Sequence, residues 1–223
     1  MQHPFRWASR LALIALLPLA LAGCGVNAIP TKQVAAQTAW ADVQNDYQRR
    51  ADLIPNLVAT VKGYAAQEQR TLVEVTQARA SATQVKVDAS TLTDPAAFQK
   101  YEQAQNQLSG VLGRLMAISE KYPDLKSNEN FLALQAQLEG TENRIAVARR
   151  DYNAAVQDYN TTLRVLPTSL WAATFYRSAK PMALFSATAA AQSAPTVSFD
   201  TSVPGAAPGS PPPASPATPA TNP

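Results

Sequence analysis

From Phe131 onward the chain sets a large apolar side chain at every seventh position: Phe131, Leu138, Ile145, Tyr152, Tyr159 and Leu166. Three residues after each of the first five comes a companion: Leu134, Thr141, Ala148, Ala155 and Thr162. A strand turns successive side chains to opposite faces, so it cannot hold such a series on one side. A helix can, and a strict period of seven predicts a narrow seam buried with left-handed, coiled-coil-like packing. Ser127 or Asn128 stands where this helix needs a cap, and Pro167 stops it.

Two further helical stretches are legible. From Thr31 to Val87, Trp40, Val43, Tyr47, Ile54, Leu57, Val61, Leu72 and Val75 recur at helical steps, reading as one long helix or two collinear ones. Pro55 lies inside that pattern and removes a helical hydrogen bond, so a kink is expected there. Asp94-Pro95 opens another helix, with Pro at the first position and Asp94 or Thr93 as cap; Phe98, Tyr101, Leu108, Leu112, Leu115 and Ile118 line its face and Tyr122-Pro123 ends it. At 1.5 Å per residue the three would span about 85, 40 and 60 Å. They cannot match end to end, so the first is broken near Pro55 or projects beyond the others. Leu170–Tyr176 is expected to fold back as a short helix over one end; seating Trp171, Phe175 and Tyr176 at a membrane interface is the rival. The expected fold is all-α: an elongated antiparallel bundle of three long helices plus one short C-terminal helix. Gly63, Gly110, Gly113 and Gly140 fall inside these helices, and close helix approach is the expected reason.

Two singletons exclude much chemistry. The only histidine is His3 and the only cysteine Cys24. The rest of the chain therefore has no Cys/His zinc site, no Ser–His–Asp triad and no Glu-x-x-His di-iron site. No Gly-rich phosphate loop occurs. No cofactor, metal site or catalytic residue is assigned, and the chain reads as a non-enzyme.

Residues 1–23 read as a signal peptide. Arg6 and Arg10 precede the apolar run Leu11–Leu21, which is too short to span a bilayer and contains Pro18. Leu21-Ala22-Gly23-Cys24 then resembles the lipobox of bacterial lipoproteins. In that family the cysteine is acylated and the signal cut before it; the alternative is an uncleaved anchor extending to Ile29. Residues 24–30 would be a lipidated tether, and three acyl chains on Cys24 would fix the protein to the membrane. Gly25, where an inner-membrane lipoprotein commonly has Asp, implies the outer membrane, facing the periplasm, in a Gram-negative host. Loss of Arg6 and Arg10 takes Lys+Arg from 19 to 17 against 16 acids, so the net charge drops from +3 to +1. The charges are interspersed, which argues against a nucleic-acid partner. Residues 201–223 hold eight prolines and no charge, and read as a disordered tail.

Several ordered strings resemble the LemA family of bacterial envelope proteins. They include Arg49-Arg50-Ala51-Asp52-Leu53-Ile54-Pro55-Asn56-Leu57-Val58, Ser127-Asn128-Glu129-Asn130-Phe131, Thr141-Glu142-Asn143-Arg144-Ile145-Ala146, Tyr152-Asn153, Tyr159-Asn160, Lys180-Pro181 and Pro195-Thr196-Val197-Ser198-Phe199. The resemblance covers about residues 31 to 200 and implies an antiparallel bundle with a membrane-anchored N-terminus. It implies no enzymatic reaction. The lipobox and the proline-rich tail depart from the family's usual pattern.

The candidate site is an interhelical polar cluster of Arg49, Arg50, Asp52, Glu142 and Arg144, whose ordinary role is register-setting ion pairs. Asp46 and Arg50 are spaced as an i,i+4 pair, worth about 0.3 kcal/mol. Tyr152 and Tyr159 belong in the core with their hydroxyls on a partner. Asn153 and Asn160 share a face beside the seam, where they would bind a partner or join side-chain networks. The functional expectation is an envelope interaction module that presents a helical face to another envelope protein or a peptide. A small-ligand or lipid-binding bundle is the alternative, and a carboxylate-based hydrolase the weaker one.

Overall fold

A computed structural model describes residues 25–85 and 87–186. The signal segment, Cys24, the 201–223 tail and the Pro195–Phe199 string lie outside the described residues.

Seven α-helices follow in order among them: α1 Ala28–Tyr64, α2 Gln69–Gln84, α3 Ala89–Leu92, α4 Pro95–Ser119, α5 Pro123–Lys126, α6 Glu129–Thr162 and α7 Thr168–Thr174. The all-α bundle stands, with the first of the expected long helices divided in two. The break comes at Ala65, and a 3-10 turn at Ala66–Glu68 sends α2 back along α1. Reversal buries Leu72, Val75, Ala78 and Ala82, which a collinear rod would leave beyond its partners. At 1.5 Å per residue α1 and α6 are about 55 and 51 Å long, so the mismatch disappears.

Helix α1 runs on past Pro55. Proline has no N–H to give the carbonyl four residues back, which is that of Ala51. Arg79 of α2 supplies the replacement, its Nε donating to the Ala51 oxygen at 2.7 Å. Folding α2 back thus places a donor on the acceptor that Pro55 orphans.

The caps follow the sequence. Asp94 accepts from the N–H groups of Ala96 and Ala97 at 2.9 and 3.2 Å, and Asn128 from that of Phe131 at 3.0 Å. Asp88 accepts from Ser90 and Thr91 in a capping box that starts α3. Helix α6 ends at Thr162, earlier than the heptad suggests. Leu166 therefore falls past the helix and is 75% exposed, whereas Phe131, Leu138, Ile145, Tyr152 and Tyr159 are buried. The glycine expectation fails: a Cβ at Gly63, Gly110 or Gly113 would meet nothing within 4 Å, and one at Gly140 only the Arg144 guanidinium, at 3.8 Å.

Cross-links fix the directions. Arg50 with Glu142 and Lys32 with Asp158 make α1 and α6 antiparallel; Glu74 with Arg114 and Ala82 with Gln105 do the same for α2 and α4. The topology is up-down-up-down. Two cores result. The lower one, shared by all four long helices, is mostly aliphatic: Ile54, Leu57, Val61, Leu72, Val75, Leu108, Leu112, Leu115 and Leu138, with Phe131. The upper one is aromatic: Trp40, Tyr47, Phe98, Tyr101, Tyr152, Tyr159 and Phe185.

Candidate functional site

Arg50 sits where the two cores meet and is 1% exposed. A buried guanidinium needs acceptors on all sides. Its Nη1 donates to Ser109 Oγ at 2.6 Å and to Glu142 Oε1 at 2.7 Å; its Nη2 donates to Gln105 Oε1 at 2.6 Å and to the Gln105 carbonyl at 3.3 Å. Gln105 Nε2 in turn donates to the Ala82 carbonyl at 3.2 Å. One network therefore joins α1, α2, α4 and α6. The guanidinium carbon also lies 5.0 Å from the centre of the Tyr47 ring. Among the described residues Arg50 Nε has no partner. The Arg50–Glu142 pair is asymmetric, because the Glu142 side chain is 42% exposed and keeps part of its hydration.

The other expected members lie elsewhere. Arg144 pairs with Asp46 at 3.2 Å and donates to Thr141 Oγ1 at 2.9 Å, on the outer side of the bundle. The Asp46–Arg50 pair is thus not made: Asp46 serves Arg144, while Arg50 turns inward to Ser109, Gln105 and the Glu142 carboxylate. Arg49 and Asp52 are exposed, and Asp52 accepts from Gln48 at 2.8 Å.

A second polar group was not assembled by sequence reasoning. Buried Glu102 accepts from Arg149 at 2.7 Å and from Ser186 Oγ at 3.1 Å, and the Arg149 guanidinium stands 4.3 Å over the Phe185 ring. The signal that could have found it was a charged residue next to Tyr101 on an apolar face. Gln105 and Ser109 had the weaker signal of polar residues flanking Leu108.

Asn153 and Asn160 receive a definite task. Asn160 donates to the Met182 carbonyl and accepts from the Met182 N–H, both at 2.9 Å. Asn153 grips Phe185 in the same way, at 3.1 and 2.9 Å. Tyr152 donates to the Ala183 carbonyl and Ala183 N–H to that of Leu92, at 2.9 and 2.8 Å. Residues 182–186 thus form a strap without regular secondary structure, its backbone held largely by side chains and its Met182 and Phe185 buried in the aromatic core. Phe185 closes a box with Trp40, Phe98 and Tyr152, at centroid distances of 4.9 to 6.0 Å. Burial pushes the Tyr47, Tyr101, Tyr152 and Tyr159 hydroxyls above their ordinary pKa; Arg149 and Arg50 partly oppose this at Tyr47.

Glu74 and Asp88 move the other way. Hydrogen bonds from Arg114 and Arg70 hold Glu74 down, and those from Ser90 and Thr91 lower Asp88 to about 2. Among the described residues no group of His, Cys, Asp and Glu could hold a metal ion. A groove of ≈ 490 Å³ opens between α4 and α6, floored by Leu112, Met116 and Leu138 and rimmed by Glu139 and Glu142. No helix among the described residues is long and apolar enough to cross a membrane.

The LemA family model matches residues 39–199. This chain belongs to the LemA family. Its relatives include the protein LemA of Metamycoplasma hominis, 26% identical over 137 residues, which is 61% of this chain and 58% of that one. The magnetosome protein MamQ of Magnetospirillum gryphiswaldense is 27% identical over 175 residues, 71% of this chain and 64% of that one. The magnetosome protein MamQ 2 of Paramagnetospirillum magneticum is 39% identical over 64 residues, 29% of this chain and 24% of that one. Each match takes in less than two thirds of the relative's length. The matched family region contains the Arg50 layer, both asparagine clamps and the strap.

Proposed function

We propose that this LemA-family protein is a lipid-anchored component of the bacterial envelope, acylated at Cys24, whose bundle works as a structural or interaction module rather than as a catalyst. The observation that carries the reading is the Leu21-Ala22-Gly23-Cys24 string followed almost at once by α1, which begins at Ala28. An acyl anchor at that point leaves no long linker, so the bundle stands beside the bilayer. In a host with two membranes the anchor sits in the outer one and the bundle faces the periplasm. The partner is another envelope protein or a peptide, engaged by the outer faces of α1 and α6 and the groove beside Glu139 and Glu142. The polar layer supports the module reading: the bonds that Arg50 makes tie α1 to α4 and α6.

Labelling with palmitate in the producing cell tests the anchor. The natural chain should take up label and lose residues 1–23, and Cys24→Ser should abolish both. Label that survives the substitution overturns the assignment. Crosslinking in cells from exposed positions of α1 and α6 tests the second half of the proposal. A defined envelope partner is expected; enzymatic turnover by the purified bundle would refute the module reading.

A further inference from the structure

Apolar side chains gather on the outside at one end of the bundle. Val165, Leu166, Leu170 and Phe175 are 47%, 75%, 59% and 70% exposed, within eleven residues. This is also the end that carries Gly25: a Cβ built there would stand 3.5 Å from Thr168 and from the Trp171 indole of α7. The exposed apolar group therefore lies at the same end as Gly25, from which the chain leaves toward residue 24.

The charge of this end is one-sided. From residue 159 to 199 the sequence has no Asp or Glu, while Arg164, Arg177 and Lys180 are exposed. Between Gly25 and Ala41 the only charged residue is Lys32, which pairs with Asp158. Exposed leucine and phenylalanine stand among cations that meet no acid within the described residues, bordered by partly buried Trp171 and Tyr176. That is the composition that anionic bilayer surfaces select. An acidic protein surface would satisfy the cations but not the apolar side chains. A second copy would set like charges together.

We infer that this end of the bundle is a lipid-docking face. Leu166, Leu170 and Phe175 enter the boundary between headgroups and acyl chains, and Arg164, Arg177 and Lys180 lie against anionic headgroups. The inference rests on the tether reading for bringing the face to a membrane, and it adds orientation: docking holds α1 and α6 upright from the bilayer and presents the α4–α6 groove to the side.

The test uses the unlipidated chain from Gly25 to Pro223. It keeps both cores, because every buried apolar residue from Ile29 to Phe185 is retained. The chain should sediment with vesicles of phosphatidylethanolamine and phosphatidylglycerol, and much less with neutral phosphatidylcholine. Leu166→Ser with Phe175→Ser should weaken binding at least about tenfold. Arg164→Glu with Arg177→Glu should abolish the preference for the anionic lipid. All four positions are exposed, so circular dichroism should stay helical in each variant. Bromine-labelled acyl chains should quench Trp171, since Trp40 is buried. Absence of sedimentation with anionic vesicles overturns the inference, as does binding that neither pair changes. So does a concentration-dependent dimer that the Leu166/Phe175 pair dissolves without any vesicle uptake. Absence of acyl groups from the natural mature chain would sink the anchor instead, and vesicle binding by the unlipidated chain does not depend on that result.

Discussion

The two halves of the bundle solve the same burial problem with different means. Below Arg50, four helices surround an aliphatic core and each apolar stripe meets another helix. Above it α2 has ended, and only α1 and α6 continue at full length. The open side is closed by Phe98 and Tyr101 from the start of α4, by Leu92 of α3 and by the strap carrying Met182 and Phe185. Aromatic rings fill the wider gap that a missing helix leaves, and side chains replace the hydrogen bonds that a helical strap would make internally. The lesson is that a non-helical segment can complete a helical core when the backbone polar groups of its buried residues, here Met182 and Phe185, are given partners.

Removing the joint between the halves should have the largest effect. Arg50→Ala leaves Gln105 and Ser109 facing a cavity and is expected to cost about 3–5 kcal/mol in chemical denaturation. Arg50→Met, which refills the space, should cost clearly less. An Arg50→Met variant as stable as the natural chain would mean that volume alone matters and that the polar layer links nothing.

Alkaline pH should separate the halves next. Tyr101 and Tyr152 have raised pKa values, so their contribution is complete below the ordinary tyrosine pKa of about 10 and is lost as pH rises above it. By about pH 11 each should have lost about 1.4 kcal/mol. Tyrosine absorbance should then rise together with loss of amide protection in the upper half. Ionisation that leaves the upper half intact would contradict the burial.

Asn153→Ala and Asn160→Ala each remove two hydrogen bonds to the strap, and about 1–2 kcal/mol per site is expected. Hydrogen exchange should rise around Leu92 and residues 182–186 while Leu57 and Leu112 stay protected. Uniform loss would show that the halves unfold as one. Arg79→Met should cost about 1 kcal/mol in the wild-type chain and much less with Pro55→Ala, because alanine in place of the proline restores an N–H for the Ala51 carbonyl. Additive costs in that double-mutant cycle would refute the substitution of Arg79 for the missing donor. Smallest is Gly110→Ala, expected to stabilise by about 0.5–1 kcal/mol, since nothing occupies the space its Cβ enters; melting temperature measures it.

Much of this architecture was legible residue by residue. The heptad named Phe131, Leu138, Ile145, Tyr152 and Tyr159 as core, and they are buried. Asp94 and Asn128 cap the helices expected of them. The site was legible in part: Arg50 and Glu142 meet, whereas Arg49 and Asp52 remain on the surface. Adjacent residues on a helix point about 100° apart, so a run of charges names a region and not the member that turns inward. Glu102, Arg149 and the strap depend on contacts between distant segments, which no local pattern encodes.

Periodicity and capping are properties of neighbours a few residues apart, and the sequence alone therefore settled that the long segments are helical, which of their faces are apolar and where α4 and α6 begin. The reversal at Ala65, the rescue of the Ala51 carbonyl by Arg79, the inward turn of Arg50 and the asparagine grip on residues 182–186 were decided only in the folded molecule. Each joins groups between about twenty and ninety residues apart, and their free energy exists only once the intervening chain has closed the loop that brings them together.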